Sequence, residues 1–271
     1  MNRTLYEKSE SDFTFVKFSH DPASLPKLHW HRSLELIFIL SGTYHFYIDN
    51  EIITAKQGDI LLANSGAMHD LIASSAGCWA YVCKFNLKLL STMFQEFEPV
   101  VCHLSSQQLR EAGVAIELER LFHKIFHEML AKKPYYDVIS KSILFEIWGI
   151  LSRHFSNKTP LPMKDFELFN KFHDGLRFIN ENYLQDIQLE DLARFLNYST
   201  YYTSKLFSQF TNTNFKNYLN TLRVNKALEL LTNTDLSISE IATQCGFNTI
   251  KSFNNNFRKI LNKTPREIRK L

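Results

Sequence analysis

The order of apolar and polar positions divides the chain into three stretches. From residue 13 to 86 the apolar residues fall in short runs rich in β-branched and aromatic side chains: LELIFIL (34–40), TYHFYID (43–49), IITA (52–55), DILLA (59–63) and WAYVCKF (79–85). Turn-forming groups separate them, namely Ser41-Gly42, Asp49-Asn50, Gln57-Gly58, Asn64-Ser65-Gly66 and Gly77. Short strands at such even spacing predict an all-β barrel or jelly roll. Beyond Phe85 the period becomes helical. Leu87 to Phe97 predicts a short helix. Val114 to Ala131 places Leu118, Leu121, Phe122, Ile125, Phe126 and Met129 on one stripe, and Tyr135 to Phe155 does the same with Ile139, Ile143, Leu144, Ile147, Ile150 and Leu151. Pro134 separates the two, so a helical hairpin over one end of the barrel is expected. Residues 156–168, SNKTPLPMKDFEL, have the proline and polar content of a linker. The expected division is a first domain at 1–155, a linker at 156–168 and a second domain at 169–271.

The second domain carries one pattern twice. LEDLARFLNYSTYYTSKLF runs from Leu189 to Phe207 and ISEIATQCGFNTIKSFNNNF from Ile238 to Phe257. Placing Leu192-Ala193 on Ile241-Ala242 gives an offset of 49 residues and aligns Asn197 with Gly246, Tyr198 with Phe247 and Ser199 with Asn248. A small alanine lets two helices approach closely. Gly, or Asn at modest cost, then takes the positive φ of a sharp turn. The aromatic residue plugs that turn, and Ser199 and Asn248 are the expected N-caps of the following helix. Ser237 and Glu240 form a capping box ahead of the second copy, where Gln188 is a weaker start to the first. Between the copies Phe215, Tyr218, Leu219, Leu222, Ala227 and Leu230 keep helical spacing. About 18 residues of helix span roughly 27 Å, near the ~34 Å between successive major-groove turns. The pattern is that of two helix-turn-helix units, whose second helices enter DNA.

On these residues the segment 176–271 resembles the AraC/XylS family of transcription regulators. The likeness rests on DLA at 191–193, Leu206-Phe207, Phe215 with Tyr218-Leu219, Arg223, Ala227, Leu230-Leu231, EIA at 240–242, Gly246-Phe247, Phe253, Phe257-Arg258-Lys259, and Thr264-Pro265 with Arg269. Asn197, Asn212 and Asn262 stand where the family has Gly, and Thr203 where it has Leu. The resemblance implies DNA contacts from Tyr201, Ser204 and Lys205 in the first unit, and from Ile250, Lys251, Ser252 and Asn255 in the second. The family often has Arg at the position of Asn255. Asn pairs with adenine where Arg pairs with guanine, so the second half-site is expected to lean to A·T.

In the first domain His29, His31, Glu35 and Gly42, followed by Gly58, Gly66 and His69, resemble the two motifs of the cupin barrel, with Asn64 in place of a Pro and Ala73 of an Asn. His29 and His31 alternate on a strand and so share a face. The likeness implies a pocket in the barrel interior lined by His29, His31, Glu35 and His69, with Trp30, Tyr44 or Phe46 at its rim or walls. In cupin enzymes such a set binds Fe, Mn or another divalent ion. In sensor domains fused to this DNA-binding module it often survives as a ligand pocket. The favoured expectation is a small-molecule effector, such as a sugar, with no metal or other cofactor. A metal-bound form of the same four residues is the less favoured branch. The competing function is a metal-dependent cupin enzyme fused to a DNA-binding domain.

Composition adds three constraints. No apolar run reaches the 18 or so residues of a membrane span, and the N-terminus lacks a signal-peptide core, so no membrane association and a cytoplasmic location are expected. Cys78, Cys83, Cys102 and Cys245 show no metal-type spacing, and none of them builds the metal-held cysteine cluster of a repair methyltransferase. From Asn170 onward 14 Lys and Arg stand against 9 Asp and Glu, whereas the residues before it carry 17 against 19, which together give the net +3. A basic second half suits phosphate. The fold expected is multidomain β + α, a cupin or jelly-roll barrel with a helical hairpin followed by an all-α double helix-turn-helix domain. Its function is expected to be non-enzymatic regulation of transcription. The expected partners are promoter DNA, the effector and RNA polymerase, with a homodimer formed through the hairpin as in family members of this layout.

Overall fold

The computed structural model describes residues 12–19, 22, 26–48, 51–86, 89–90, 96–97, 101–156, 161–162, 166–211 and 213–270. The first half is two antiparallel sheets face to face. The larger is built from β1 (Phe13–Phe18), β2 (Ser33–Ser41), β5 (Ile60–Ala63), β7 (Trp79–Asn86) and β9 (His103–Leu104), in the order β1-β7-β2-β5-β9. The smaller has the order β4-β3-β6, from β3 (Thr43–Ile48), β4 (Glu51–Lys56) and β6 (His69–Ala73). The central strand β2 is buried on both faces, which explains its unbroken LELIFIL. Its odd-numbered side chains Ile37 and Ile39 meet Phe46, Leu61, Leu71 and Val82 between the sheets. Its even-numbered Leu34, Leu36 and Phe38 face outward onto helices.

Those helices are α1 (Ser106–Glu111), α2 (Ala115–Ala131) and α3 (Tyr136–Phe155). Leu118, Leu121, Phe122 and Ile125 of α2, with Ile143, Leu144, Ile147, Trp148 and Leu151 of α3, cover the outer face of the large sheet. Phe38 and Phe122 stack with ring centroids 4.9 Å apart. The hairpin therefore lies on a sheet face, not over a barrel end, because the even-numbered residues of β2 make that face apolar. The helix expected at Leu87–Phe97 ends differently: Glu96–Phe97 is a strand, β8, paired with β10 at Leu161–Pro162. Most of the rest of that stretch, 87–88 and 91–95, lies outside the described residues. The strand at His69–Ala73 and the helix at Ser106–Glu111 were not expected.

The second half is helical: α4 (Phe166–Asn182), α5 (Leu189–Leu196), α6 (Thr200–Thr211), α7 (Phe215–Asn233), α8 (Ile238–Gln244), α9 (Ile250–Leu261) and α10 (Pro265–Arg269). The two units are α5–α6 and α8–α9, and α7 joins them. Asn197 takes φ 56 and Gly246 φ 78, and the next residue donates from its N–H to Ala193 O or Ala242 O in each turn. Asn262 is also left-handed, while Asn212 lies outside the described residues. The repeat is not uniform. Ser199 caps α6, since Tyr202 N–H donates to its hydroxyl. In the second unit the cap is Thr249, which accepts from Ser252 N–H, rather than Asn248. The second turn is one residue longer, so the reading helices are offset by 50 residues although the first helices are offset by 49. At the start of the first unit the Asp191 carboxylate accepts from Gln188 N–H, supplying what the glutamine cap lacks.

Arg223, buried in α7, ties the units together. Its Nε donates to Tyr183 O at 2.8 Å and its terminal nitrogen to Gln185 O at 2.7 Å. Gly246 packs on it so closely that a Cβ would stand 2.8 Å from Leu184 O and 3.0 Å from Arg223 Nε. All four cysteines are free thiols, and burial pushes the Cys245 thiol up to about 12, where it is inert.

Thr203 replaces an apolar side chain at a core position. It is 0% exposed, and its hydroxyl has no hydrogen-bond partner among the described residues. An orphaned buried hydroxyl costs about 1–3 kcal/mol. Thr203→Val, which keeps the shape, is expected to raise unfolding free energy by about 1 kcal/mol. Urea titration of the full chain checks this; a midpoint that stays or falls contradicts it.

Candidate functional site

The backbones of 29–31 and 67–69 meet at an isolated antiparallel bridge. His29 N–H donates to His69 O at 3.1 Å, and His69 N–H to His29 O at 3.0 Å. With β2 alongside, this brings His29, His31, Glu35 and His69 together, one donor atom from each lying within 4.8 Å of the others. His31, Glu35 and His69 are buried and His29 is half-buried. All four of the sequence-predicted residues converge. His69 opens β6 at the end of the barrel, and Ile48 is its cross-strand partner. Phe46 forms a wall, its ring 6.4 Å from that of His69. Tyr44 lies two positions further along the same inward face, opposite Ala73.

Each imidazole is held the same way. His29 Nδ1 lies 3.2 Å from Lys27 O, His31 Nδ1 2.9 Å from Ser33 O, and His69 Nδ1 2.9 Å from Ala67 O. A carbonyl only accepts, so each Nδ1 carries a proton. His31 Nε2 lies 2.9 Å and His69 Nε2 3.4 Å from Glu35 Oε2, where each is placed to donate to the carboxylate. Burial alone would raise the Glu35 carboxyl, but the His31 and His69 nitrogens and the Lys84 ammonium hold it well below the usual carboxylate range.

Lys84 is a member that sequence reasoning missed. Its Nζ stands 3.4 Å from Glu35 Oε2, because Lys84 pairs with Glu35 across β7 and β2 and shares its inward face. The signal was present in WAYVCKF: counting by two from Ala80 and Val82 leads to Lys84, a charge on an interior face.

Trp30 is a correction. It is 1% exposed but does not line the cluster; it joins the core of the helical half with Phe172 and Leu176. Lying between His29 and His31, it must point the opposite way. Leu28 and Met68 follow the same rule and belong to the same core. Polar contacts surround them. Asn225 Nδ2 donates to Leu28 O. Arg32 pairs with Asp174 at 3.2 Å. Ser65 Oγ donates to Arg32 O at 2.6 Å and lies 2.8 Å from His173 Nε2, so the ring nitrogen is the donor to Ser65. Burial and the Arg32 charge lower His173 to about 3, leaving it neutral. Gly66 packs so tightly on α4 that a Cβ would stand 2.7 Å from Leu176 Cδ1.

The other candidate surface is on the reading helices. Tyr201, Ser204 and Lys205 are exposed on one side of α6, Tyr201 by 81%. Ile250, Lys251, Ser252 and Asn255 are exposed on α9. With the longer second turn, Tyr201, Ser204 and Lys205 correspond to Lys251, Asn254 and Asn255, which adds the exposed Asn254 to the candidates. Asn256 is different: it donates to Ser252 O at 2.8 Å and accepts from Asn220 at 3.0 Å.

Comparisons with known proteins agree with this division. The AraC-like ligand binding domain family matches residues 15–147, and a helix-turn-helix domain family matches residues 192–271. An HTH-type transcriptional regulator of Staphylococcus aureus (strain COL) is 26% identical over 88% of this chain, which spans only 31% of that protein's length. The HTH-type transcriptional regulator YdeC of Bacillus subtilis (strain 168) is 26% identical over 90% of this chain and 86% of its own. Among solved structures, ToxT from Vibrio cholerae O395 shares the fold with a TM-score of 0.51 at 14% identity, over 94% of this chain and 96% of its own. Among the described residues no helix is long and apolar enough to cross a membrane. With an AraC-like sensor barrel in its first half and paired helix-turn-helix units in its second, the chain belongs to the AraC family of HTH-type transcriptional regulators.

Proposed function

We propose that the protein is an effector-controlled, sequence-specific DNA-binding regulator, with the effector site at His29, His31, Glu35 and His69 and the DNA contacts on α6 and α9. The observation that carries this reading is the pairing of two exposed reading helices on one spine, α7, with a buried polar cluster in the barrel half. Residues 1–155 sense and pair, 156–168 link, and 169–271 read DNA. The exposed Ile116, Leu130, Tyr135 and Val138 on the hairpin α2–α3 supply an apolar face for a homodimer. Work on promoter DNA with RNA polymerase, in the cytoplasm, follows from this role. An effector shifts the equilibrium between arrangements only by its differential affinity for them.

In the first unit Lys205→Ala is expected to weaken binding by about 1–3 kcal/mol if Lys205 meets a base, with relaxed preference at one position. If it meets phosphate, the salt slope falls by about one without loss of preference. Electrophoretic mobility shifts at several salt concentrations separate these, and no change in either refutes the docking of α6.

In the second unit Asn255 is expected to select adenine, worth about 1–3 kcal/mol against the wrong base. Site selection from random DNA should yield an A·T-leaning second half-site that Asn255→Ala relaxes. An invariant G·C core opposite α9, lost in that variant, contradicts it.

For the effector site, Glu35→Gln and His69→Ala are each expected to abolish the transcriptional response to the effector while the isolated 169–271 domain still binds DNA. A thermal-shift screen of metabolites finds the effector, since a ligand of the folded state raises apparent stability by mass action. An unchanged response in both variants removes the cluster from the sensing site.

A further inference from the structure

We infer that Asn220 and Asn256 are positioning residues for DNA recognition: together they fix the Ser252 hydroxyl of the second reading helix as a hydrogen-bond donor, so that it rejects cytosine at the base it meets. This rests on the reading above that α9 enters the DNA major groove. The connecting helix α7 is buried on nearly every side. Its other buried polar side chains donate to main-chain carbonyls: Thr221 to Asn217 O, Arg223 to Tyr183 O and Gln185 O, and Asn225 to Leu28 O. Asn220, 8% exposed, instead reaches a side chain on a reading helix, its Nδ2 donating to Asn256 Oδ1 at 3.0 Å. With about 3.6 residues per turn, Lys251 and Asn255 share the exposed face of α9 and Phe253 and Phe257 the buried one. Ser252 and Asn256 run along the flank between the two, one turn apart.

The donors and acceptors along this flank have one consistent assignment. Asn256 Nδ2 donates to Ser252 O at 2.8 Å and lies 3.4 Å from Ser252 Oγ. A carbonyl only accepts, so the end of the amide facing Ser252 is its NH2 group and the end facing α7 is its oxygen. Asn220 holds that orientation, because its own NH2 group meets the oxygen. The Asn256 N–H groups thereby face Ser252 Oγ. A hydroxyl opposite N–H groups offers them a lone pair and turns its hydrogen away. A free serine hydroxyl both donates and accepts, and so suits any base. Held in this way it donates. In the major groove guanine O6 and N7, adenine N7 and thymine O4 all accept, whereas cytosine presents only its N4 donor. Ser252 is exposed in the first turn of α9, the part of a reading helix that contacts base edges. The first unit lacks this arrangement: the reading-helix offset of 50 puts Tyr202 and Leu206 at the positions of Ser252 and Asn256.

The test uses the full chain on a DNA site enriched from a random pool, with each base pair of the second half-site then varied in turn. Wild type should bind about tenfold more weakly when cytosine occupies one particular position, and Ser252→Ala should erase that penalty. Asn220→Ala, Asn220→Asp and Asn256→Ala should each cut the same penalty to under about threefold, with affinity for the enriched site changed by less than about threefold. The preference at the Asn255 position should stay. Asn220→Asp keeps the shape but has no hydrogen to give Asn256. Adding Ser252→Ala to Asn220→Ala should lower the cytosine penalty no further, because both remove one interaction. A residue that only supports the fold would weaken every site alike and leave the cytosine ratio in place. Asn256 is half-buried on α9, so Asn256→Ala carries the test if the Asn220 variants fail to fold. A cytosine penalty that Ser252→Ala erases but Asn220→Ala and Asn256→Ala leave intact overturns the proposal. So does a Ser252→Ala chain with wild-type preferences; the docking of α9 survives that result if Asn255→Ala still relaxes one position. If Lys251→Ala, Ser252→Ala and Asn255→Ala all leave preference and salt slope unchanged, the docking of α9 fails together with the proposal.

Discussion

The pair of backbone hydrogen bonds between His29 and His69 is the constraint on which the rest of the architecture depends. It joins a short segment before β2 to the start of β6, and so closes one end of the barrel. Because neighbouring side chains on a strand point to opposite faces, this one pairing sorts six residues at once. His29, His31 and His69 go inward to Glu35; Leu28, Trp30 and Met68 go outward into the helical core. Neither set could be moved by a single register step without exchanging with the other, which would bury imidazoles against Phe172 and expose a tryptophan to the cluster.

The helical half has a corresponding anchor in Arg223. A buried guanidinium is costly unless its donors are satisfied, and here two go to the carbonyls of Tyr183 and Gln185, just beyond the end of α4, the first helix of the second half. The same side chain lies against Gly246 in the turn of the second unit. One residue on the connecting helix thus fixes the loop that starts the first unit relative to the turn in the second. The spacing of the two reading helices is a property of this contact as much as of the length of α7.

Much of this was legible in the sequence, and the boundary of legibility is physical. The alternating runs gave the strands because sheets impose a period of two, and DLA, EIA and Gly246 marked the units because steep helix crossings demand small residues and a positive φ. The four cluster residues were found through a spaced pattern and do converge. What failed was tertiary. Asn248 looked like the cap because an offset of 49 holds through the turn, but one extra residue makes Thr249 the cap and brings Asn254 onto the reading face. Trp30 looked like a pocket wall because its neighbours are histidines, although the same alternation that unites them excludes it. Lys84 escaped notice because a lysine in a strand reads as solvent-facing until the cross-strand partner, Glu35, is known.

The asymmetry between the two faces of this backbone also explains why a sensing barrel tolerates so polar an interior. Four ionisable groups in a buried site are a liability unless charge is balanced and each proton is placed. Here Glu35 is faced by Lys84 as well as by the rings, and every imidazole has a backbone carbonyl for its Nδ1–H. The carbonyls lie two residues from their rings, within the same local segments, so each ring's orientation is set locally. These local pins and the His29–His69 hydrogen bonds between the segments act together, so one stretch of backbone fixes both the order of the cluster and the seating of Leu28, Trp30 and Met68 in the other half.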